Sequence, residues 1–421
     1  MSGGRPGAGT LVARTVELDP ATPVDLLAVA QPSGLLFERE GHGLAGRGVA
    51  LRVDLGGLCD AGRVAEHLAQ VAVEDEVALP GTGAVAMGAL AFDPASPASM
   101  VVPSLLVGRS PDGRQWLTTV GPAGAETGSG DPRARLGCTD VPRTAEPLPD
   151  GFTLTSTRSH ADWQATVARA VEAVAAGHLE KVVVAREVVV QCNRPIVVHD
   201  VLDRLRALYP ACTVFSVDGF VGASPELLVE RQGVAVRCHP LAGTYPRSGD
   251  PSVDRHLAAQ LLASPKERRE HRFAVDQITG VLRPLSVELE VPEAPTVLPL
   301  RNVVHLGTEI AGRLIEPAPT ALELAALVHP TPAVGGAPTD LALEWLAEHE
   351  GFDRGRYAGP VGWVDHRGDG SFALGIRSAE ISGATARLFA GVGVVEGSDP
   401  RRELMETQLK LQALLAALVR P

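Results

Sequence analysis

With 421 residues the chain has room for two or three ordinary domains or one large one, and 45% hydrophobic with 21% charged residues suits a soluble protein with a substantial core. A formal net charge of −12 excludes a general nucleic-acid binder, which needs a cationic footprint, but leaves room for a small anion where local cations outweigh that field. The opening MSGGRPGAGT is too polar for a signal peptide and no run is long enough to span a bilayer, while five scattered cysteines without CxxC spacing read as reduced thiols, so a cytoplasmic protein is expected.

Residues 10 to 120 alternate short apolar runs (LLFERE, VALRVDL, GAVAMGALAF, LLVG, QWLTTV) with Gly and Pro punctuation. This predicts strands of an antiparallel sheet with few helices between them. HLAQVAV near residue 70 fits a helix or a strand. From Gly121 to Asp150 the composition is that of a loop, the best candidate for a linker. Beyond Gly151 the signals sharpen. Residues 159–177 carry an apolar stripe at helical spacing that ends at a glycine, KVVVAREVVV reads as a strand and VLDRLRALYP as a helix. ACTVFSVDGFVG, ELLVERQ and VAVRCHPL then read as strands, and a long helix begins at Ser264. YAGPVGWVDH, FALGIRSAEIS and TARLFAGVGVV form a second strand-rich stretch before a final helix from about Pro400 to Val419. Hairpin-like clusters of strands between long helices indicate an α+β fold with antiparallel sheets.

Two acidic pairs, Glu267/Glu270 and Glu403/Glu406, stand out on the two long helices. Spacing of i, i+3 lets both members of a pair point the same way. Four convergent carboxylates are costly in a core unless a cation holds them, and oxygen-only ligands favour Mg2+ over zinc. Each pair has a plainer reading as well. Ser264-Pro265-Lys266-Glu267 resembles a capping box, which would occupy Glu267 at the helix start. Glu270 lies on the face continued by Ala274, Ile278 and Val281 and so points inward. Taken alone, Glu406 and Lys410 read as a solvated i, i+4 pair worth about 0.3–0.5 kcal/mol.

Lys181 opens an otherwise apolar strand, where it is either an exposed edge lysine or a base held in a dry cleft. Glu226, in Ser224-Pro225-Glu226, is either a turn residue or a general acid. Gly391 and Gly393 lack the spacing of a dinucleotide fingerprint and indicate instead a close approach of backbone to a ligand or neighbouring strand.

Taken together, these segments resemble the chorismate-utilising enzymes, and among them the isochorismate synthase branch. The matching blocks are KVVVAR (181–186), SPELLVE (224–230), HPLAGTYPR (239–247), SPKERREHRFAVD (264–276), VVHLGTEIAG (303–312), HPTPAVGG (329–336), YAGPVGW (357–363), IRSAEI (376–381) and AGVGVVEGSDPRRELMETQLK (390–410). Residues 1–150 carry no such block and correspond to the divergent N-terminal half of the fold, with 151–421 the motif-bearing catalytic region. The resemblance implies one large α/β/β/α sandwich around two antiparallel β-sheets, so that the loop near residue 121 falls inside a single domain spanning 1–421. It also implies Mg2+-dependent conversion of chorismate to isochorismate, a precursor of menaquinone and of catecholate siderophores, by a monomer with no obligate partner.

Carried over position by position, Lys181 matches the base that activates water and Glu226 the acid that protonates the departing C4 hydroxyl. Glu270 and Glu406 match the principal Mg2+ ligands, with Glu267 and Glu403 in support. Tyr357, Arg377 and Lys410 match groups that hold the substrate's carboxylates, and Gly243, Thr244, His305 and Gly391 match positions lining the pocket. Ammonia-using relatives generally lack a lysine at the Lys181 position and differ around HPTPAVGG. Salicylate synthases share the lysine and go on to eliminate pyruvate, and a chorismate-binding relative without activity is the third alternative. Tyr245 departs from the family's usual LAGTRPR.

Overall fold

Valine-rich runs such as KVVVAREVVV can bury both faces only inside a layered structure. In the computed structural model, which describes residues 10–21, 24–31, 34–123 and 149–419, that run is the strand Lys181–Cys192 of a thirteen-stranded sheet. The polar start and most of the candidate linker, with Cys138, lie outside the described residues. From one edge the large sheet runs Phe152–Ser156, Lys181–Cys192, Thr385–Val394, Ser378–Ser382, Phe220–Ser224 and Thr213–Val217, then continues through Leu35–Arg39 into strands of the N-terminal half. A nine-stranded sheet packs against it and contains Leu227–Gln232, Gly370–Leu374 and Pro360–Asp365 at its centre.

Phe37, Leu44, Phe215 and Phe220 of the large sheet meet Val85, Met87, Val361 and Ala373 of the smaller one in an apolar interlayer core. Helices His160–Ala175, Val198–Leu208 and Pro400–Val419 cover the outer face of the large sheet, and Ala321–Val328 packs on the smaller sheet. The layers are therefore those of the expected sandwich. Strands from both halves of the chain build both sheets, through pairings such as Phe37 with Phe215 and Met87 with Trp363.

Two features differ from the expectation. Leu241–Pro246, Val303–Gly307 and Thr296–Pro299 form a separate three-stranded sheet beneath helices Pro251–Ala263 and Pro265–Leu282. HLAQVAV divides between the end of helix Gly62–Leu68 and strand Ala72–Asp75, which pairs parallel to Leu11–Leu18. Tyr245, the departure from the family pattern, packs on the small cluster of Leu261, Val304 and Leu306. Among the described residues no helix is long and apolar enough to cross a membrane, and Cys59, Cys192, Cys212 and Cys238 are free thiols.

The arrangement that matters for function is a seam between the sheets. Phe220–Ser224 belongs to the large sheet and Leu227–Gln232 to the smaller, so the chain changes layer at Pro225-Glu226. FALGIRSAEIS does the same in reverse: Gly370–Leu374 lies in the smaller sheet and Ser378–Ser382 in the large one. The strands on each side of these crossings pair with one another, which sets Glu226 and Arg377 on adjacent crossings. Phe220, fully buried at this seam, should cost about 3–5 kcal/mol when cut to alanine. The midpoint of chemical unfolding is expected to fall for Phe220→Ala and to hold for Phe152→Ala, whose ring is 46% exposed.

Candidate active site

Glu226 sits at the first crossing because a Ser-Pro pair ends the strand before it. Its carboxyl is buried and Oε1 accepts from the Leu241 N–H at 3.3 Å. Burial pushes the group up to about 8, and that N–H, with the nearby cations Lys181, Lys410 and Arg377, draws it only partly back. At neutral pH it is therefore a carboxylic acid with a proton to give.

Arg377 occupies the second crossing with φ at +52°, in the left-handed region that a residue other than glycine enters rarely. Its Nη2 lies 3.2 Å from Nε2 of His305. Nδ1 of the same ring lies 3.1 Å from the Gly243 carbonyl and 3.2 Å from Thr244 Oγ1. A guanidinium only donates and a carbonyl only accepts, so His305 is the neutral tautomer with its proton on Nδ1. Burial, followed by Arg377 itself, holds its pKa well below the usual histidine range in agreement. His305 thus acts as a fixed acceptor that aims Arg377.

Lys181 is 0% exposed, which disposes of the edge-lysine reading. Its Nζ is 3.2 Å from Glu270 Oε1, within ion-pair range, yet no acceptor meets it at a hydrogen-bonding angle. Gly393 makes the space: a Cβ there would stand 2.1 Å from Glu270 Oε1 and 2.8 Å from Lys181 Cε. Gly391 plays the same part beside Tyr357, whose hydroxyl would lie 3.1 Å from an added Cβ. Tyr357 stacks on Phe389 at 5.1 Å, and burial pushes its phenol up to about 12, so it stays a neutral donor.

The acidic helices meet here. Ser264 caps Pro265–Leu282 by accepting from the Glu267 N–H at 3.4 Å, while its own N–H donates to Leu261. The Glu267 carboxylate faces Gly243, where φ is +70° and an added Cβ would come within 3.0 Å of Oε2. Burial and then the charge of Glu270 push Glu267 up to about 7, with Glu406 and Glu403 adding to the repulsion. Burial, with Glu406 next, also raises Glu403. The donors are all oxygen, and the pKa values of Glu267 and Glu403 stay raised although Lys266 draws both partly back, which fits a hard divalent cation.

Among the described residues no three such groups already surround one point. Instead Glu270 faces Lys181, Glu403 faces Lys266 at 3.2 Å and Glu406 faces Lys410 at 2.6 Å. The Glu406–Lys410 pair is only part exposed, and Lys410 also donates to the Gly391 carbonyl at 2.8 Å.

One cavity is lined by nine of the thirteen candidate residues: Glu226, Gly243, Thr244, Glu270, His305, Tyr357, Arg377, Gly391 and Lys410. Lys181 stands behind Glu270, and Glu267, Glu403 and Glu406 lie around its acidic side without lining it. The sequence reading missed Lys266, although a lysine in the first turn of a helix opposes the helix dipole and so signals a partner elsewhere. It also missed the coupling of His305 to Arg377, which no local spacing records.

The family described as "chorismate binding enzyme" matches residues 7–419. Isochorismate synthase DhbC of Bacillus subtilis is 42% identical over 268 residues, covering 61% of this chain and 67% of that protein. MenF of Mycobacterium tuberculosis is 40% identical over 355 residues, 80% of this chain and 87% of that one. Among solved structures, MenF, the menaquinone-specific isochorismate synthase from Escherichia coli, superposes with a TM-score of 0.80 at 28% identity, covering 100% of this chain and 97% of that one. With a cavity built from the family's blocks and a match over nearly its whole length, the chain belongs to the chorismate-binding enzyme family.

Proposed function

We propose that this protein is a Mg2+-dependent isochorismate synthase, adding water at C2 of chorismate as the C4 hydroxyl departs. The observation that carries the reading is a single cavity bringing together an acid that keeps its proton at pH 7 and two cations suited to a substrate with two carboxylates, with a wholly buried lysine directly behind it. The isochorismate synthases among the relatives support the same choice within the family.

In this reading Lys181 takes a proton at Nζ from the attacking water, which requires a neutral amine at that moment. Glu226 gives its proton to the C4 oxygen, so the leaving group is water and not hydroxide. One water enters and one leaves, and the ring double bonds shift between the two carbons. Arg377, aimed by His305, and Lys410, fixed to the Gly391 carbonyl, hold the substrate's carboxylates. Glu270 and Glu406, with Glu267 and Glu403 beside them, are the residues that would hold Mg2+. Bound there, the ion supplies Lewis-acid polarisation of a substrate carboxylate.

Purified protein incubated with chorismate and Mg2+ should form isochorismate without pyruvate, as resolved by liquid chromatography. EDTA should stop the reaction and excess Mg2+ restore it. Salicylate with pyruvate would assign the chain to the salicylate synthases, and no turnover would leave only binding.

Lys181→Ala and Glu226→Gln should each lower kcat by about 10²–10⁴-fold while chorismate still binds in equilibrium titration. Full activity in either variant would remove that residue from the mechanism. The sign of the pH effect follows from Glu226. Its acid form is the active one and is lost as pH rises through about 8. Activity should therefore decline on the alkaline side, and a kcat flat to well above that pH would contradict the role.

A further inference from the structure

Behind the cavity wall lies a charge pair that this chemistry does not use. Glu350 and Arg354 are each 4% exposed, four residues apart where helix Thr339–His349 ends. Arg354 grips Glu350 with two prongs, Nε to Oε2 at 2.6 Å and Nη2 to Oε1 at 2.6 Å. The guanidinium also donates to two backbone carbonyls, Nη1 to Val334 at 2.8 Å and Nη2 to Val183 at 2.7 Å. Glu350 Oε1 accepts in addition from the Ala185 N–H at 2.7 Å. Cζ of the guanidinium is 4.1 Å from the Phe92 ring centroid and 6.0 Å from that of Tyr357.

The residues reached matter more than the pair. Val183, Val334 and Tyr357 all line the cavity. Val183 is two residues from Lys181, and the first residues of that strand pair with Gly336–Ala337, just past Val334. Val183 N–H donates to the Gly335 carbonyl at 2.8 Å, so Arg354 spans both sides of one junction. For stability alone a buried ion pair is a poor choice, since apolar side chains of similar volume usually do as well. What the pair supplies is direction, through a fork that lysine cannot reproduce.

We infer that Glu350 and Arg354 are positioning residues for the reaction, fixing strand Lys181–Cys192 against segment 333–337 and thereby placing the Lys181 amine. The inference rests on the reading of Lys181 as the base. Displacing a reacting group by about 1 Å can cost on the order of 10²-fold in rate.

The test is Arg354→Lys, which keeps a cation for Glu350 but not the fork. The expected result is a kcat lowered by about 10–100-fold, with KM for chorismate within about twofold and cooperative melting retained. Parental kcat per folded molecule, or a rise in KM alone, would overturn the inference. If Arg354→Lys does not fold, Glu350→Gln is read in the same way.

A parent without turnover would sink the proposed function and leave this junction to hydrogen exchange. Selective loss of protection at the Val183 and Ala185 amides in the variant would then support the positioning role, and unchanged protection would overturn it.

Discussion

A lysine buried to 0% exposure at 3.2 Å from a carboxylate is the constraint on which this site depends. Taking both charges out of water is costly, and the cost is offset only where geometry and neighbouring polar groups compensate. The elements around the pair fix its geometry. Gly393 leaves the space the two side chains fill, the strand carrying Lys181 is bonded along both edges, and the helix carrying Glu270 is fixed by the Ser264 cap.

Charge is distributed around the cavity so that each face asks something different of a ligand. On the acidic side, four carboxylates from two helices stand against Lys181, Lys266 and Lys410. Across the seam between the sheets, Arg377 is held by a histidine that burial keeps neutral, and Glu226 keeps its proton. A neutral ligand would gain little from such a site, whereas an anion with more than one carboxylate meets cations at separate points. This is how a chain with a net charge of −12 can accept an acidic substrate.

Much of this was legible in the sequence, and the limits have physical causes. Helices announced themselves through apolar stripes and, at Ser264, through a cap that sits where expected, because capping is local chemistry. Glu270 was readable because its neighbours Ala274 and Ile278 are fully apolar and buried. The crossing at Gly375–Arg377 was not, since FALGIRSAEI keeps the strand pattern while the chain changes layers. Lys181 stayed open between surface and base because burial at a strand's first residue is decided by what packs on it. The lysine partners of the carboxylates come from positions up to 137 residues apart, a distance no periodicity can register.

In the proposed reaction solvent water becomes the C2 hydroxyl while the C4 oxygen is lost. The most direct measurement is the oxygen content of isochorismate formed in water enriched in 18O, read by mass spectrometry. One labelled oxygen per product molecule, at C2, is predicted from early turnover onwards. Unlabelled product would mean that the original hydroxyl migrates within the substrate, and the roles given to Lys181 and Glu226 would fail together.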